Sequence, residues 1–346
     1  MKVSTESLKS VTRETLGAIG VDAESIEKIL DTILFANRRG NATHGIGRLP
    51  LYIHKIRSGH LNPKDETTVL TDAGAVALLD AKNGFGQIAA QHAVEIAKKK
   101  AREYGVAAVG VRNSNNFGMA GYYGDMAAKD GFAALVFANA APAIAPTGGT
   151  KTIFGTNPLC YAFPGAGEHL PIILDMATTV AARGKIRLAA KNGEKIPLDW
   201  AIGPDGKPTD DPNEALKGAL LPIGGYKGYG LSMFVDLFAG LTTGSAYAGG
   251  VKNLGNMDED SGNGHLFILI DVKHFMSEDE LKERLAFFHR AVKECGAEGA
   301  VLMPGERGFA SYEEHAESVE ISEKQIEEIQ AVAEELAVRA RLECIA

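Results

Sequence analysis

The chain has 346 residues, 45% hydrophobic and 23% charged, with a formal net charge of −8. That is enough for a large α/β unit or two domains with real cores. The acidic balance, with a pI near 5.7, excludes a surface built for nucleic acid or anionic lipid, either of which needs basic patches that displace counterions. Small anionic substrates remain compatible with it. No window reaches the roughly 18 apolar residues that span a bilayer, and the N-terminus lacks a signal-peptide core, so a cytoplasmic protein with no membrane partner is expected. Cys160, Cys295 and Cys344 are far apart and form no CxxC pair. Neither a disulfide framework nor a metal centre follows from them.

In chain order, residues 5–18 and 24–39 read as two helices, the second with apolar positions Ile26, Ile29, Leu30, Ile33 and Leu34 and a basic end at Arg38 and Arg39. Asn41 and Thr43 are cap-type residues, and the segment after them reads as a third helix ending before Pro63. Residues 67–84 have the pattern of a hairpin. A helix over 87–105, a buried strand "VAAVGVRNS", a glycine-started helix and a second buried strand "FAALVFANA" follow. "IILDMATTVAARGKIRLAAKNG" reads as a strand passing into a helix. Residues 201–225, with four prolines, read as a surface loop. "GYKGYGLSMFVDLFAGLTTG" is apolar nearly all round, which predicts a buried helix. A strand near 265–275, a capped amphipathic helix and a charged terminal helix complete an α/β chain. Residues 1–70 with 305–346 read as a helical flanking region, and 71–304 as a central α/β region for cofactor and substrate.

No GxGxxG follows a strand and no P-loop is present, so a standard Rossmann site is unsupported. Glycine-rich turns at Gly118 and Gly121, Gly148 and Gly149, and Gly224, Gly225 and Gly228 could admit phosphate oxygens or be plain turns. His44 has an acid/base side chain suited to neutral pH, with Arg48 four residues on. A helix there would put both on one face, joining a proton carrier to a bidentate carboxylate ligand. The spacing equally fits a capped helix with both side chains in solvent. The other histidines show no such pairing. Lys185 and Lys227 follow glycines and could meet a phosphate or ribose, or lie on the surface. Asp175 ends an apolar strand, as a helix cap or as a partner for a sugar hydroxyl or histidine.

Six segments in order, "THGIGRLPLYIHKIRSGHLNP", "NSNNFGMAGYY", "FGTNPLCYAFP", "LDMATTVAARGKI", "IPLDWAIGPDGKPTDDP" and "LLPIGGYKGYGLSMFVDLFAGLTTG", resemble the malate/L-lactate dehydrogenase family of the non-Rossmann type. The similarity runs from about residue 5 to 340. That family includes ureidoglycolate, sulfolactate and 2,3-diketogulonate enzymes and cyclic-imine reductases. The resemblance implies a family-specific α/β nicotinamide-binding fold, a homodimer, NAD or NADP as cofactor with NAD favoured, and a small carboxylate substrate. It implies His44 as proton donor, Arg48 as carboxylate ligand, and Thr43 at a position where many relatives have serine. Asp175, Met176, Ala177 and Thr178, Tyr226 with Lys227, and Pro304, Gly305 and Glu306 match cofactor-contacting segments.

One departure stands out. Where the family pattern commonly reads Ser-Asn-His-Phe-Gly, this chain has Asn116, an amide that hydrogen-bonds but does not titrate. Proton duty then falls to His44, with Asn116 orienting substrate or nicotinamide. Three readings follow: hydride transfer at C2 of a 2-hydroxy or 2-oxo acid; reduction of a cyclic or N-alkyl 2-imino acid, disfavoured because imine-reducing relatives tend to carry aspartate at the Lys185 position; or a catalytically impaired cofactor-binding paralogue.

Overall fold

The computed structural model describes residues 1–345. A short strand β1 (Lys2–Ser4) leads into α1 (Thr5–Ala18) and α2 (Ala23–Arg38). Both helices begin on side-chain caps: Ser4 accepts from the Ser7 amide and Asp22 from the Ser25 amide, which satisfies donors that helix geometry leaves free. Helix α3 (Leu49–Arg57) has Pro50 in its first turn, where a missing N–H is harmless. Residues 42–44 and 46–48 are single 3₁₀ turns separated by extended Gly45. The α-helix expected to carry His44 and Arg48 together therefore starts only after both. Gly45 lies so close to α2 that a Cβ there would sit 2.2 Å from Asn37 Oδ1, so the break is at a position where a side chain would not fit.

The hairpin forms from β2 (Thr68–Ala73) and β3 (Val76–Asp80), followed by α4 (Gly86–Tyr104), β4 (Val106–Ser114), α5 (Ala120–Lys129), β5 (Phe132–Ala138), β6 (Leu159–Phe163) and β7 (Ile172–Met176). Next come α6 (Arg183–Asn192), β8 (Ala201–Ile202), α7 (Pro212–Lys217), β9 (Ala219–Leu220) and α8 (Tyr226–Val235), which continues as a π-helical segment, Asp236–Leu241. The chain ends with β10 (Asn263–Asp271), α9 (Glu278–Lys293), α10 (Glu306–Glu314), β11 (Ser318–Glu320) and α11 (Glu323–Glu335).

Seven strands form one sheet in the order β2-β3-β4-β10-β5-β6-β7. Only β3 and β4 run parallel; the other neighbours are antiparallel. Late in sequence, β10 inserts between β4 and β5, and its run "HLFILI" suits a strand covered on both faces. One face packs on α4 and α5 through Ala93, Val94, Tyr123, Val136 and Phe267. The other packs on α8 and its continuation through Phe137, Val235, Ala239 and Leu266. A separate core joins α1, α2 and α3 to β11 and α11 through Leu8, Ile29, Tyr52, Val319 and Ile329.

Two expectations need correction. Residues 201–225 are not only loop: β8, α7 and β9 enclose a small core with α6, built on Ile186, Ala201, Ala215 and Leu220. The predicted burial of the apolar helix fails within this chain, since Tyr226 is 69% exposed, Phe234 53% and Leu241 49%. One side of α8 covers the sheet and the opposite side lacks a partner. His60 and His92, expected to be structural or solvated, meet Asp260 at 2.7 Å and Asp65 at 2.6 Å. Helix α10 and the β1–β11 pair were not anticipated, because three-residue strands carry too little pattern to register.

Candidate active site

The two 3₁₀ turns before α3 fix the first group of side chains. Asn37 Oδ1 accepts from the Ile46 amide at 2.8 Å, tying the turns to α2. The Thr43 hydroxyl donates to Asn41 Oδ1 at 2.7 Å, so its oxygen is free to accept. His44 Nδ1 lies 3.0 Å from that hydroxyl and 3.2 Å from Asn41 Oδ1. Both are acceptors, which assigns the proton of the neutral imidazole to Nδ1 and leaves Nε2 as a free base. Surrounding protein atoms, and secondarily the charge of Arg48, push the His44 pKa down to about 4. At neutral pH the ring is uncharged.

Arg48 Nε donates to the Thr43 carbonyl at 2.6 Å, which leaves the terminal guanidinium nitrogens for a ligand. Burial lowers its pKa, and nearby Arg187 pushes the same way. Among the described residues no carboxylate forms an ion pair with Arg48, Arg183 or Arg187. Arg183 Nη2 donates to the Leu216 carbonyl at 2.8 Å. Gly184, at the start of α6, faces Thr43: a Cβ there would be 3.6 Å from Thr43 Cγ2. Helix α6 thus brings Arg187 and the exposed Lys185 alongside the His44 turns.

The two asparagines of the "NSNN" run separate by role. Asn115 is buried, and its Nδ2 is spent on Asn83 O, Asn83 Oδ1 and Gly84 O, so it holds the loop between β3 and α4. Asn116 is joined to α3 through Tyr52, whose hydroxyl meets its Oδ1 at 3.0 Å. Tyr52 lies one turn after Arg48, so His44, Arg48, Tyr52 and Asn116 form one continuous cluster.

A second cluster gathers at the far end of β7. A cavity of about 220 Å³ is lined by Arg39, Met119, Gly121, Asp175, Pro304 and Gly305 among others. Asp175 Oδ2 accepts from the Gly121 amide at 2.7 Å. Burial raises its pKa to about 6, opposed by the Gly121 bond and by Arg39. Arg39 donates to the Gly305 carbonyl at 3.2 Å and lies over the Phe309 ring at 4.2 Å. Glu306 points elsewhere: it pairs with Lys293 at 2.6 Å and accepts from the Met303 amide at 2.9 Å. Met176 and Ala177 are partly exposed beside the cavity, whereas the Thr178 hydroxyl is committed to the Thr156 carbonyl at 2.9 Å. Tyr226 and Lys227 are exposed at the start of α8; the Ile223 amide ties their turn to the Thr178 carbonyl at 2.9 Å. The structure therefore groups Asp175, Pro304 and Gly305, sets Tyr226 and Lys227 apart on the surface, and turns Glu306 to Lys293. No hydrogen bond among the described residues links the two clusters. Sequence reasoning missed Tyr52, Gln87, Arg39 and Arg187. Only Tyr52 left a signal, its four-residue spacing from Arg48.

These positions are built on a chain-wide similarity. The family profile described as Malate/L-lactate dehydrogenase matches residues 3–330. The chain belongs to the malate/L-lactate dehydrogenase family. It is 38% identical to an L-sulfolactate dehydrogenase of Methanothermobacter thermautotrophicus, over 99% of both chains, and 36% identical to a Delta(1)-pyrroline-2-carboxylate reductase of Ancylobacter novellus, over 90% of this chain and 92% of that one. The solved sulfolactate dehydrogenase from Methanocaldococcus jannaschii superposes with a TM-score of 0.92 at 36% identity, over 98% of each chain. Enzymes of this family are oxidoreductases, and the mostly antiparallel sheet described above is the family's fold. No helix of the described residues is long and apolar enough to cross a membrane.

The buried His265 gives the family member an acid-sensitive core. Its Nε2 meets the Ser114 hydroxyl at 2.9 Å, its ring stacks on Phe117 at 4.5 Å, and burial lowers its pKa to about 3. The unfolded chain protonates this histidine near pH 6.5, so stability is full above that value and falls as pH drops toward 3. The slope is at most about 1.4 kcal/mol per pH unit for one proton. His265→Asn should flatten the decline in urea midpoint between pH 6.5 and 4; an unchanged slope relative to the parent places the acid sensitivity elsewhere.

Proposed function

We propose that the chain transfers hydride between a nicotinamide cofactor and C2 of a small 2-hydroxy or 2-oxo acid that carries a second anionic group, as malate and sulfolactate do. The observation that carries this reading is His44 with Nε2 free, beside an Arg48 whose terminal nitrogens have no carboxylate partner. Arg48 grips the C1 carboxylate with its fork. In the oxidation direction, neutral His44 accepts the C2 hydroxyl proton at Nε2; in reduction, the protonated ring returns it. Thr43 and Asn41 hold the tautomer throughout. When bound, the nicotinamide accepts or supplies the hydride at C4.

The cavity at Asp175 supports a cofactor site. It offers a carboxylate for sugar hydroxyls, the Arg39 cation and a glycine-lined wall, where a Cβ on Gly308 would meet Arg39 Nε at 2.6 Å. At about 220 Å³ it fits part of a dinucleotide, because sites for whole ligands of that kind run from about 300 Å³ upward. Asp175, Pro304 and Gly305 line that part, Met176 and Ala177 follow Asp175 in the chain, and Lys185, Tyr226 and Lys227 serve the remainder. Glu306 acts by holding the segment through Lys293. NAD is the favoured cofactor over NADP. The three free cysteines, Cys160, Cys295 and Cys344, suit a reducing cytoplasm.

Arg187 supports the dianionic substrate class: it is a solvent-facing cation beside Arg48 with no ion-pair partner among the described residues. Lys185 adds a further positive charge where a carboxylate would favour an imine. Arg187→Ala is expected to raise KM for malate and sulfolactate about tenfold and leave lactate within threefold; equal changes for all three acids exclude contact with the distal anion. The uncovered side of α8 exposes Phe234, Phe238 and Leu241 together, the kind of apolar face that marks an interaction surface, and we assign it to a homodimer contact. Turnover of malate, sulfolactate, lactate and a cyclic imino acid with NAD and NADP tests the whole reading; activity confined to the imine overturns it.

A further inference from the structure

Two donors meet the Asn116 amide oxygen, one of them held by a third. The Gly118 amide, two residues on, donates to Asn116 Oδ1 at 3.2 Å, closing an Asx turn. A backbone N–H can only donate, so this contact fixes which end of the side-chain amide is oxygen. Gln87 Nε2 donates to the Tyr52 hydroxyl at 2.7 Å, and the hydroxyl donates in turn to the same Oδ1 at 3.0 Å. The carbonyl end is thus saturated by two donors. Burial raises the Tyr52 pKa to about 12, so the hydroxyl stays protonated and remains a donor across working pH. Tyr52 and Gln87 are themselves almost fully buried, which locks the relay in one arrangement.

The other end is free. Among the described residues Asn116 Nδ2 has no acceptor, and it is not sealed from solvent as Gln87 Oε1 and Asn115 Oδ1 are. Two N–H groups are therefore left for a ligand, on a side chain tied through Tyr52 to the helix that Arg48 begins. A 2-hydroxy acid has three oxygens on C1 and C2. Arg48 takes the carboxylate pair and His44 takes the hydroxyl proton, which leaves one unmet acceptor, the lone pairs of the C2 oxygen.

We propose that Asn116 is a dedicated hydrogen-bond donor to the C2 oxygen of the substrate, with Tyr52 and Gln87 as the residues that orient it. The inference rests on the 2-hydroxy acid reading above. As the hydroxyl proton moves to His44, charge builds on the C2 oxygen, and a donor already aimed at it stabilises that charge without reorganisation. Asn116 thus performs by fixed polarity what a titrating group would perform by gaining or losing a proton.

The test uses the full-length enzyme with its best 2-hydroxy acid. Asn116→Asp keeps the shape and replaces the donor end by an acceptor; kcat is expected to fall about a hundredfold, the range found for removal of one such donor, with cofactor affinity by fluorescence within threefold. Tyr52→Phe frees the amide to turn; kcat should fall about tenfold with KM and melting temperature little changed, and affinity for the non-reacting analogue oxamate should weaken in parallel. Asn116→His restores a donor and should recover activity while adding a second ionisation to the pH profile. A kcat within threefold of the parent in Asn116→Asp, or a single ionisation in Asn116→His, overturns the proposal. If the parent turns over imino acids and no hydroxy acid, the functional reading fails first, and the variants then bear only on that other chemistry.

Discussion

His44→Ala is expected to lower turnover by about 10²–10⁴-fold, the usual contribution of a positioned acid/base, while cofactor affinity stays within a few-fold. The substitution removes Nε2 and leaves untouched the cavity at Asp175, with which His44 shares no hydrogen bond. The sign of the pH dependence follows from the low pKa of about 4. Oxidation needs the neutral ring, so its kcat/KM should be flat above about pH 5 and fall toward pH 4. Reduction needs the charged ring and should rise with acidity, helped when a bound carboxylate offsets the charge of Arg48. Single-turnover stopped-flow across pH separates these limbs. An Ala variant that retains either limb at parental amplitude removes His44 from the reaction.

Arg48→Lys should raise KM for every carboxylate substrate by roughly 10- to 100-fold, corresponding to a lost charge-assisted hydrogen bond of about 1.5–3 kcal/mol. A lysine keeps the charge but loses the fork, and it also loses the Nε bond to the Thr43 carbonyl, which shapes the turn behind His44. For that reason kcat should drop too, by a smaller factor. Steady-state kinetics on malate and lactate distinguish the cases: an unchanged KM on both places the substrate carboxylate elsewhere.

The features visible in the sequence are those that local pattern controls. The 3.6-residue period of α2 and the alternation of the hairpin each depend on residues within a few positions of one another. The His44–Arg48 pairing holds as proximity but not on the expected backbone, since extended Gly45 separates two single turns. The apolar composition of α8 was read as burial, yet composition reports that a face wants cover, not which molecule supplies it. The Tyr52–Asn116 bond joins residues 64 apart in sequence; no local pattern encodes it, and only the folded sheet brings α3 against the end of β4. The cavity at Asp175 likewise draws Arg39, Gly121 and Gly305 from three distant segments.

The β1–β11 pairing has a consequence for how the enzyme is made. Residues 2–4 align with 318–320, the Ser4 amide donates to the Glu343 carbonyl and the Ile345 amide to the Lys2 carbonyl, and a Cβ on Gly47, between His44 and Arg48, would strike Gln325. During synthesis the first helices emerge long before these partners exist, and contacts of such sequence separation form slowly. The His44 turns therefore gain these neighbours only after β11 and α11 have left the ribosome, which makes that late segment a precondition for assembling the site.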